Sequence, residues 1–212
     1  MHKIDGSIGR DKFFDILRKR KLLVKRRKKY VYTTDSYHRF KVYKNVIKHK
    51  MLTAANQAWV SDITYLRVNK DFVYLFLITD AYSRKITGWS LSDSLAIKGA
   101  TEALKMAIKQ CPQTNGVIHH SDRGIQYCCK EYVQLLKNNN MIISMTEENH
   151  CYENSVAERV NGILKGEFLL DEKFQNKEIA LKAVKEAINT YNTKRPHWSL
   201  SLFTPEQVHK AA

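Results

Sequence analysis

The chain has 212 residues, 43% of them hydrophobic and 10% aromatic, which suits one substantial folded domain with a small appendage and excludes a largely disordered protein. Its net charge of +15 is local: residues 1–50 hold 17 Lys and Arg against 4 Asp and Glu, while residues 51–212 hold 19 against 17. The longest apolar run, "FVYLFLI" at 72–78, is far short of the roughly 20 residues a membrane helix requires, and the start "MHKIDGSIGRDK" lacks the apolar core of a secretory signal, so the expected compartment is the cytoplasm.

Residues 8–24, "IGRDKFFDILRKRKLLV", space Phe13, Phe14, Ile16 and Leu17 at helical period, and predict an amphipathic helix followed by a short second element. The overlapping run "RKRKLLVKRRKK" at 18–29 has nine basic residues in twelve: Arg18, Lys19, Arg20, Lys21, Lys25, Arg26, Arg27, Lys28 and Lys29. With no acids nearby to offset it, this run reads as a footprint for a polyanion such as DNA, against the plainer reading of a solvated helix end. Residues 30–58 are polar and weakly periodic, as in an extended linker.

From Trp59 the pattern changes. "WVSDITYLRV" alternates and is rich in β-formers, and "DFVYLFLITD" follows after Asn69-Lys70, which together predict a hairpin. "SRKITGWSLSD" gives a third strand. "SLAIKGATEALKMAIKQ" gives a helix with Leu95, Ala100, Ala103, Leu104, Ala107 and Ile108 on one face, ended by Pro112. "GVIHHS" is a fourth strand, "KEYVQLLKNNN" a helix, "MIISMT" a fifth strand, and "NKEIALKAVKEAINTYNTKRPHWSL" a long helix stopped before Pro196. Three antiparallel strands followed by alternating α and β units predict an α/β fold, a mixed five-stranded sheet with helices on its faces, in the order of a ribonuclease-H-like domain.

Three carboxylates stand out within this order. Asp62 lies inside the first strand, where an ionised group is costly unless paired, metal-bound or on the wet face. Asp122 follows the fourth strand in "GVIHHSDRGIQY", a position that suits a metal ligand and a turn-forming Asp alike. Glu158 sits on a helix capped by Asn154, off the apolar face made by Val156, Val160, Ile163, Leu164 and Phe168, with Lys165 two turns further on the same side and Gly162 between them. That face could hold a metal and a DNA strand, or could simply be solvated. Asp80, at the end of the second strand, suits a structural turn role. The cysteines Cys111, Cys128, Cys129 and Cys151 have no zinc-site spacing and read as reduced thiols. His119 and His120 would favour softer metals than a carboxylate set does and read as neighbours, not ligands.

"WVSDITY", "LITDAYSRKITG", "HHSDRGIQY", "SMTEENHCYENSVAERVNGILKGEF" and the closing "YNTKRPHWSL...TPEQV" resemble the second-reading-frame transposases of the IS3 insertion-sequence family, over essentially the whole chain. The resemblance implies a retroviral-integrase-like core with Asp62, Asp122 and Glu158 as catalytic and metal-binding triad. It implies two Mg²⁺ or Mn²⁺ ions, Lys165 contacting the element's end, and Asp80 uninvolved in chemistry. It implies a DNA transposase, a polynucleotidyl transferase that cleaves its element's ends and joins them to target DNA, against the alternatives of a ribonuclease-H-type nuclease or a truncated DNA-binding remnant. Its partners would be element and target DNA, further copies of itself in a synaptic complex, and the upstream reading-frame product; its place would be the bacterial cytoplasm at the nucleoid. The expected organisation is a partial basic DNA-binding segment and linker over 1–50, the catalytic core over 51–170 and a helical extension over 171–212. Glu153 stands where the family more often has Asp, and the family carries a longer helical region before Ile8.

Overall fold

The computed structural model describes residues 9–23, 38–111, 113–147 and 154–212. The chain divides into two compact units, residues 1–33 and 34–212. In the first, α1 (Arg10–Lys19) carries Asp11 in its first turn and Arg18 and Lys19 in its last, in the sense the helix dipole favours. Lys21 takes φ 56°, and the Lys21 and Leu22 amides return to the carbonyls of Arg18 and Leu17, which closes the helix. No residue of α1 is buried, and the short second element expected after it is a turn as far as residue 23.

The second unit is built on a sheet. Strands β1 (Ala58–Val68) and β2 (Asp71–Asp80) form the expected hairpin, with Val68 opposite Asp71 and Asn69 at φ 52° in the two-residue turn. Strand β3 (Ile86–Ser92) continues the antiparallel meander. Helix α2 (Ile97–Gln110) then crosses one face, β4 (Ile118–Ser121) returns parallel to β1, and α3 (Ile125–Cys128) and α4 (Lys130–Asn138) lead to β5 (Ile142–Met145), parallel to β4. The other face is covered by α5 (Ser155–Gly166) and α6 (Lys177–Thr193). A 3₁₀ turn (Trp198–Leu200) and α7 (Pro205–Ala211) end the chain, and Thr204 and Gln207 cap α7 reciprocally. The strand order is β3-β2-β1-β4-β5, the mixed α/β sheet that the sequence predicts.

A two-residue strand, β6 (Lys173–Phe174), pairs with the far end of β1 and makes the described sheet six-stranded where five were expected. Two residues are too few to show an alternation. Residues 38–57, expected as a linker, hold no regular element but are tied to the core: His38 Nε2 donates to the Arg123 carbonyl at 2.7 Å, and the Val46 amide to Ser144 Oγ at 3.0 Å.

Each face has its own core. Trp59, Phe76, Ile78, Leu104, Tyr132 and Met145 pack on the α2 side; Leu66, Leu75, Leu77, Val160, Leu164, Val184 and Tyr191 pack on the α5 and α6 side. Burial of each such side chain stabilises the fold by about 1.5–3 kcal/mol. Close approach of β3 to α2 depends on Gly88, where a Cβ would stand 2.2 Å from the Ala103 carbonyl oxygen.

Strand β1 is covered unevenly. On its far side from β2, β4 pairs with residues 58–60 and β6 with residues 67–68, so residues 61–66 have no strand beside them there among the described residues. Helix α5 lies in that gap.

Candidate active site

The register of β1 and β4 brings two of the three predicted carboxylates together. Val60 is aligned with His120 in parallel pairing, and Asp62 and Asp122 each lie two residues further on. They therefore leave adjacent strands, about 4.8 Å apart, on the same face of the sheet. Asp122 is held in its turn by the Gly124 amide, which donates to Oδ1 at 2.9 Å, so the turn-forming reading of this residue is realised while its carboxyl stays beside Asp62.

Asp62 is partly buried, and its carboxyl is pushed up to about 7. Burial is the largest cause and the neighbouring Asp122 the next, opposed by the Ile63 amide and the Asn161 side chain, with Glu158 adding the smallest upward push. Glu158 itself is exposed on α5, and partial burial raises its carboxyl. Asp62 and Asp122 thus form a close pair, and Glu158 stands to one side of it. Among the described residues, no three acidic, His or Cys side chains are close enough to share one ion. The donor set is still all oxygen, like-charged and half out of water, which is the chemistry that a hard divalent cation relieves.

Helix α5 meets the open edge of β1 with a polar stripe. Asn154, Glu158, Asn161 and Lys165 recur at intervals of four, three and four, a single helical face. Asn154 Nδ2 donates to the Ser61 carbonyl at 3.1 Å, and Asn161 Nδ2 donates to Asp62 Oδ2 at 2.6 Å. Lys165 is only 5% exposed, with Nζ 4.2 Å from the centre of the Tyr65 ring, a cation–π contact. The solvated alternative does not hold along this whole face, because Gly162 and Lys165 are buried. Sequence reading missed Asn161. Its position three residues after Glu158, on the same helical face, was the available signal.

On the opposite face, Ser61 and His119 face α4. His119 Nε2 lies 2.7 Å from Ser61 Oγ and 2.9 Å from Tyr132 Oη, and burial followed by the neighbouring His120 lowers His119 to about 3. The ring is neutral, and Nε2 can accept from both hydroxyls. His120 Nδ1 is 2.9 Å from Ser144 Oγ, whose oxygen also accepts the Val46 amide. His119 therefore braces the strands behind the carboxylate pair, while His120, on the carboxylates' own face, ties β4 to β5.

Asp80 has the structural role expected of it. Fully buried, it accepts from the Asn56 amide at 2.7 Å, the Ser83 amide at 2.7 Å and Ser83 Oγ at 2.6 Å, and its carboxyl is held low because these bonds and His209 outweigh its burial. Cys111, Cys128 and Cys129 are buried free thiols, with Cys128 pushed up to about 11 by burial and then by Asp122. Arg18, Lys19, Arg20 and Lys21 are exposed in the first unit, while Lys25, Arg26, Arg27, Lys28, Lys29, Cys151 and Glu153 lie outside the described residues. No described helix is long and apolar enough to cross a membrane.

The strand order is that of an integrase-type core domain. Residues 53–151 match one integrase core domain family and residues 139–205 match another of the same description. The magnesium complex of the HTLV-2 integrase catalytic core superimposes with a TM-score of 0.59 at 20% identity, covering 74% of this chain and 97% of that one. A chain of the simian T-cell lymphotropic virus intasome in complex with PP2A regulatory subunit B56 gamma gives 0.63 at 18%, over 81% of this chain and 59% of that one. A Shigella sonnei protein of the IS600 insertion element is 32% identical over 97% of this chain and 78% of its own length. The InsF transposase of IS3A from Escherichia coli is 34% identical over 90% and 67%. The chain belongs to the IS3 family of insertion-sequence transposases.

Proposed function

We propose that this protein cleaves the 3′ ends of its own mobile element and joins them to target DNA, as a polynucleotidyl transferase using the carboxylates Asp62, Asp122 and Glu158. The observation that carries this reading is the pair Asp62 and Asp122, each two residues beyond the last aligned pair of parallel strands β1 and β4, with Asp62 held by Asn161 and coupled to Glu158. Divalent cations, Mg²⁺ or Mn²⁺ and two in number, held by these carboxylates would neutralise the phosphate and lower the pKa of an attacking oxygen.

The chain's own residues do the rest. Asp122 is fixed by its turn and Asp62 by Asn161, so two acceptors are preorganised before substrate arrives. Water attacks in cleavage and the freed 3′-hydroxyl attacks in joining; both are in-line displacements at phosphorus, so one site serves both. The exposed bases Arg18 to Lys21, and the basic residues following them in sequence, supply phosphate contacts, each neutralised phosphate adding about −0.9 to the slope of log affinity against log salt. Lys165 contacts the element's end only after its side chain leaves Tyr65. Synapsis of two ends requires at least two copies, and the upstream reading-frame product is a partner by fusion or assembly.

The test is a strand-transfer reaction with end-bearing DNA and Mg²⁺, comparing wild type with Asp62→Asn and Glu158→Gln. Joined products from wild type alone support the reading. Cleavage without joining points to a hydrolase, and activity that survives Asp62→Asn refutes the site.

A further inference from the structure

A groove of about 830 Å³ adjoins the carboxylate pair, on the side away from Lys165. Its lining includes Lys48, Val60, Tyr82, Arg84, Asn154 and Phe203. Two links join it to the site. Val60 and Asp62 are two residues apart on one strand, hence on the same face and about 7 Å from each other. Ser155, also in the lining, lies one turn before Glu158 on α5. The floor is apolar, formed by Val60, Ala81 and Val156, and is continuous with the cluster of Ala58, Ile118 and Ala157 beneath it.

The walls carry three kinds of group. Tyr82 and the 55% exposed Phe203 offer aromatic surface. Lys48 and Arg84 place positive charge on the groove, and no Asp or Glu lines it among the described residues. Asn154, 5% exposed, uses Nδ2 on the Ser61 carbonyl, while its Oδ1 has no hydrogen-bond partner among the described residues; the same is true of Asn45 Nδ2 in the opposite wall. One acceptor and one donor thus stand uncommitted on residues that line the groove. Apolar floor, stacking surface, amide edges and positive charge, in a volume within the usual ~300–1,000 Å³ of small-ligand sites, match an unpaired nucleotide better than they match a duplex or an apolar peptide.

We infer that this groove binds one or a few unpaired nucleotides of the DNA strand that passes through the active site. The base stacks on Tyr82 and Phe203, its edge meets Asn154 and Asn45, and its phosphates lie toward Lys48 and Arg84. The groove would then separate the strand end from its complement beside the reacting phosphate. The inference rests on the function proposed above but concerns binding, not chemistry.

The experiment uses the full chain in chelator, where no strand is cut. Affinity by fluorescence anisotropy is compared for a blunt duplex and for the same duplex with a short unpaired tail, in wild type, Lys48→Ala and the double variant Tyr82→Ala with Phe203→Ala. The tail is expected to tighten wild-type binding by about tenfold, the effect of stacking one or two bases, and both variants should lose that gain while binding the blunt duplex as wild type does. Ultraviolet cross-linking of wild type to a tail carrying 5-iododeoxyuridine should label Tyr82 or Phe203, which covers the case in which a variant fails to fold. Equal affinity for blunt and tailed duplex, or labelling elsewhere, overturns the subsite and leaves the proposed function standing. Failure to bind any DNA overturns both.

Discussion

Asn161 donates to Asp62 across 2.6 Å, from one face of α5 to the open edge of β1. It fixes the carboxylate's orientation, and it lowers a carboxyl that burial and Asp122 both push up. Asn161→Ala should leave the fold intact and reduce cleavage and joining by about 10- to 100-fold, the usual cost of losing a group that orients a ligand. Carboxyl titration by NMR in metal-free protein checks the cause: Asp62 should titrate higher in the variant than in wild type. A normal rate with Asn161→Ala would mean that Asp62 is held by the strand alone.

Asp62 also carries a stability cost in metal-free protein. Its folded value of about 7 lies above the ordinary carboxylate value of 3.8, so the folded state holds the proton more tightly. Stability on this account is complete below pH 4 and declines as pH rises toward 7. Asp62→Asn should remove that decline, stabilise the chelated protein at neutral pH by about 1–3 kcal/mol, and abolish both reactions. Thermal melts at pH 5 and pH 8 give the comparison, and an equal difference at the two values would refute the electrostatic account.

Asp80 behaves in the opposite sense. Its carboxyl is held low, so the stability it provides is present above the unfolded carboxylate value and is lost as pH falls through the folded one. Asp80→Ala would leave the Asn56 and Ser83 amides without their acceptor, at about 1–3 kcal/mol for each buried donor. Urea unfolding at neutral pH should show the loss, and the gap between variant and wild type should narrow in acid.

Gly88→Ala should destabilise more than a typical surface change. The added methyl group would meet the Ala103 carbonyl oxygen at 2.2 Å, and backbone cannot move aside cheaply. A loss of about 1–3 kcal/mol or more is expected, read as a lower urea midpoint with an unchanged slope.

The hairpin was legible because the alternating residues of β1 and the apolar run of β2 flank a two-residue break, and Asp62 and Asp122 were legible because each interrupts or ends an apolar run. Lys165 and Asn161 were not. A helix wheel ranks residues by polarity, and both appear there as part of a wet face; only the gap in strand pairing beside residues 61–66 turns that face inward. Contacts between polar residues far apart in sequence, such as Ser83 with His209, leave no periodic trace at all.

The gap beside β1 also bears on how the chain is made. Strand β1 is complete at residue 68, but the helix that covers its open side begins at residue 155. At ribosomal rates of about 5–20 residues per second, several seconds separate the two, and during that time a bare stretch of backbone donors and acceptors is ready to recruit any extended segment. Nascent chains stalled before α5 are therefore the forms of this protein most prone to aggregate, and Asn154, which meets the Ser61 carbonyl, helps to end that exposure.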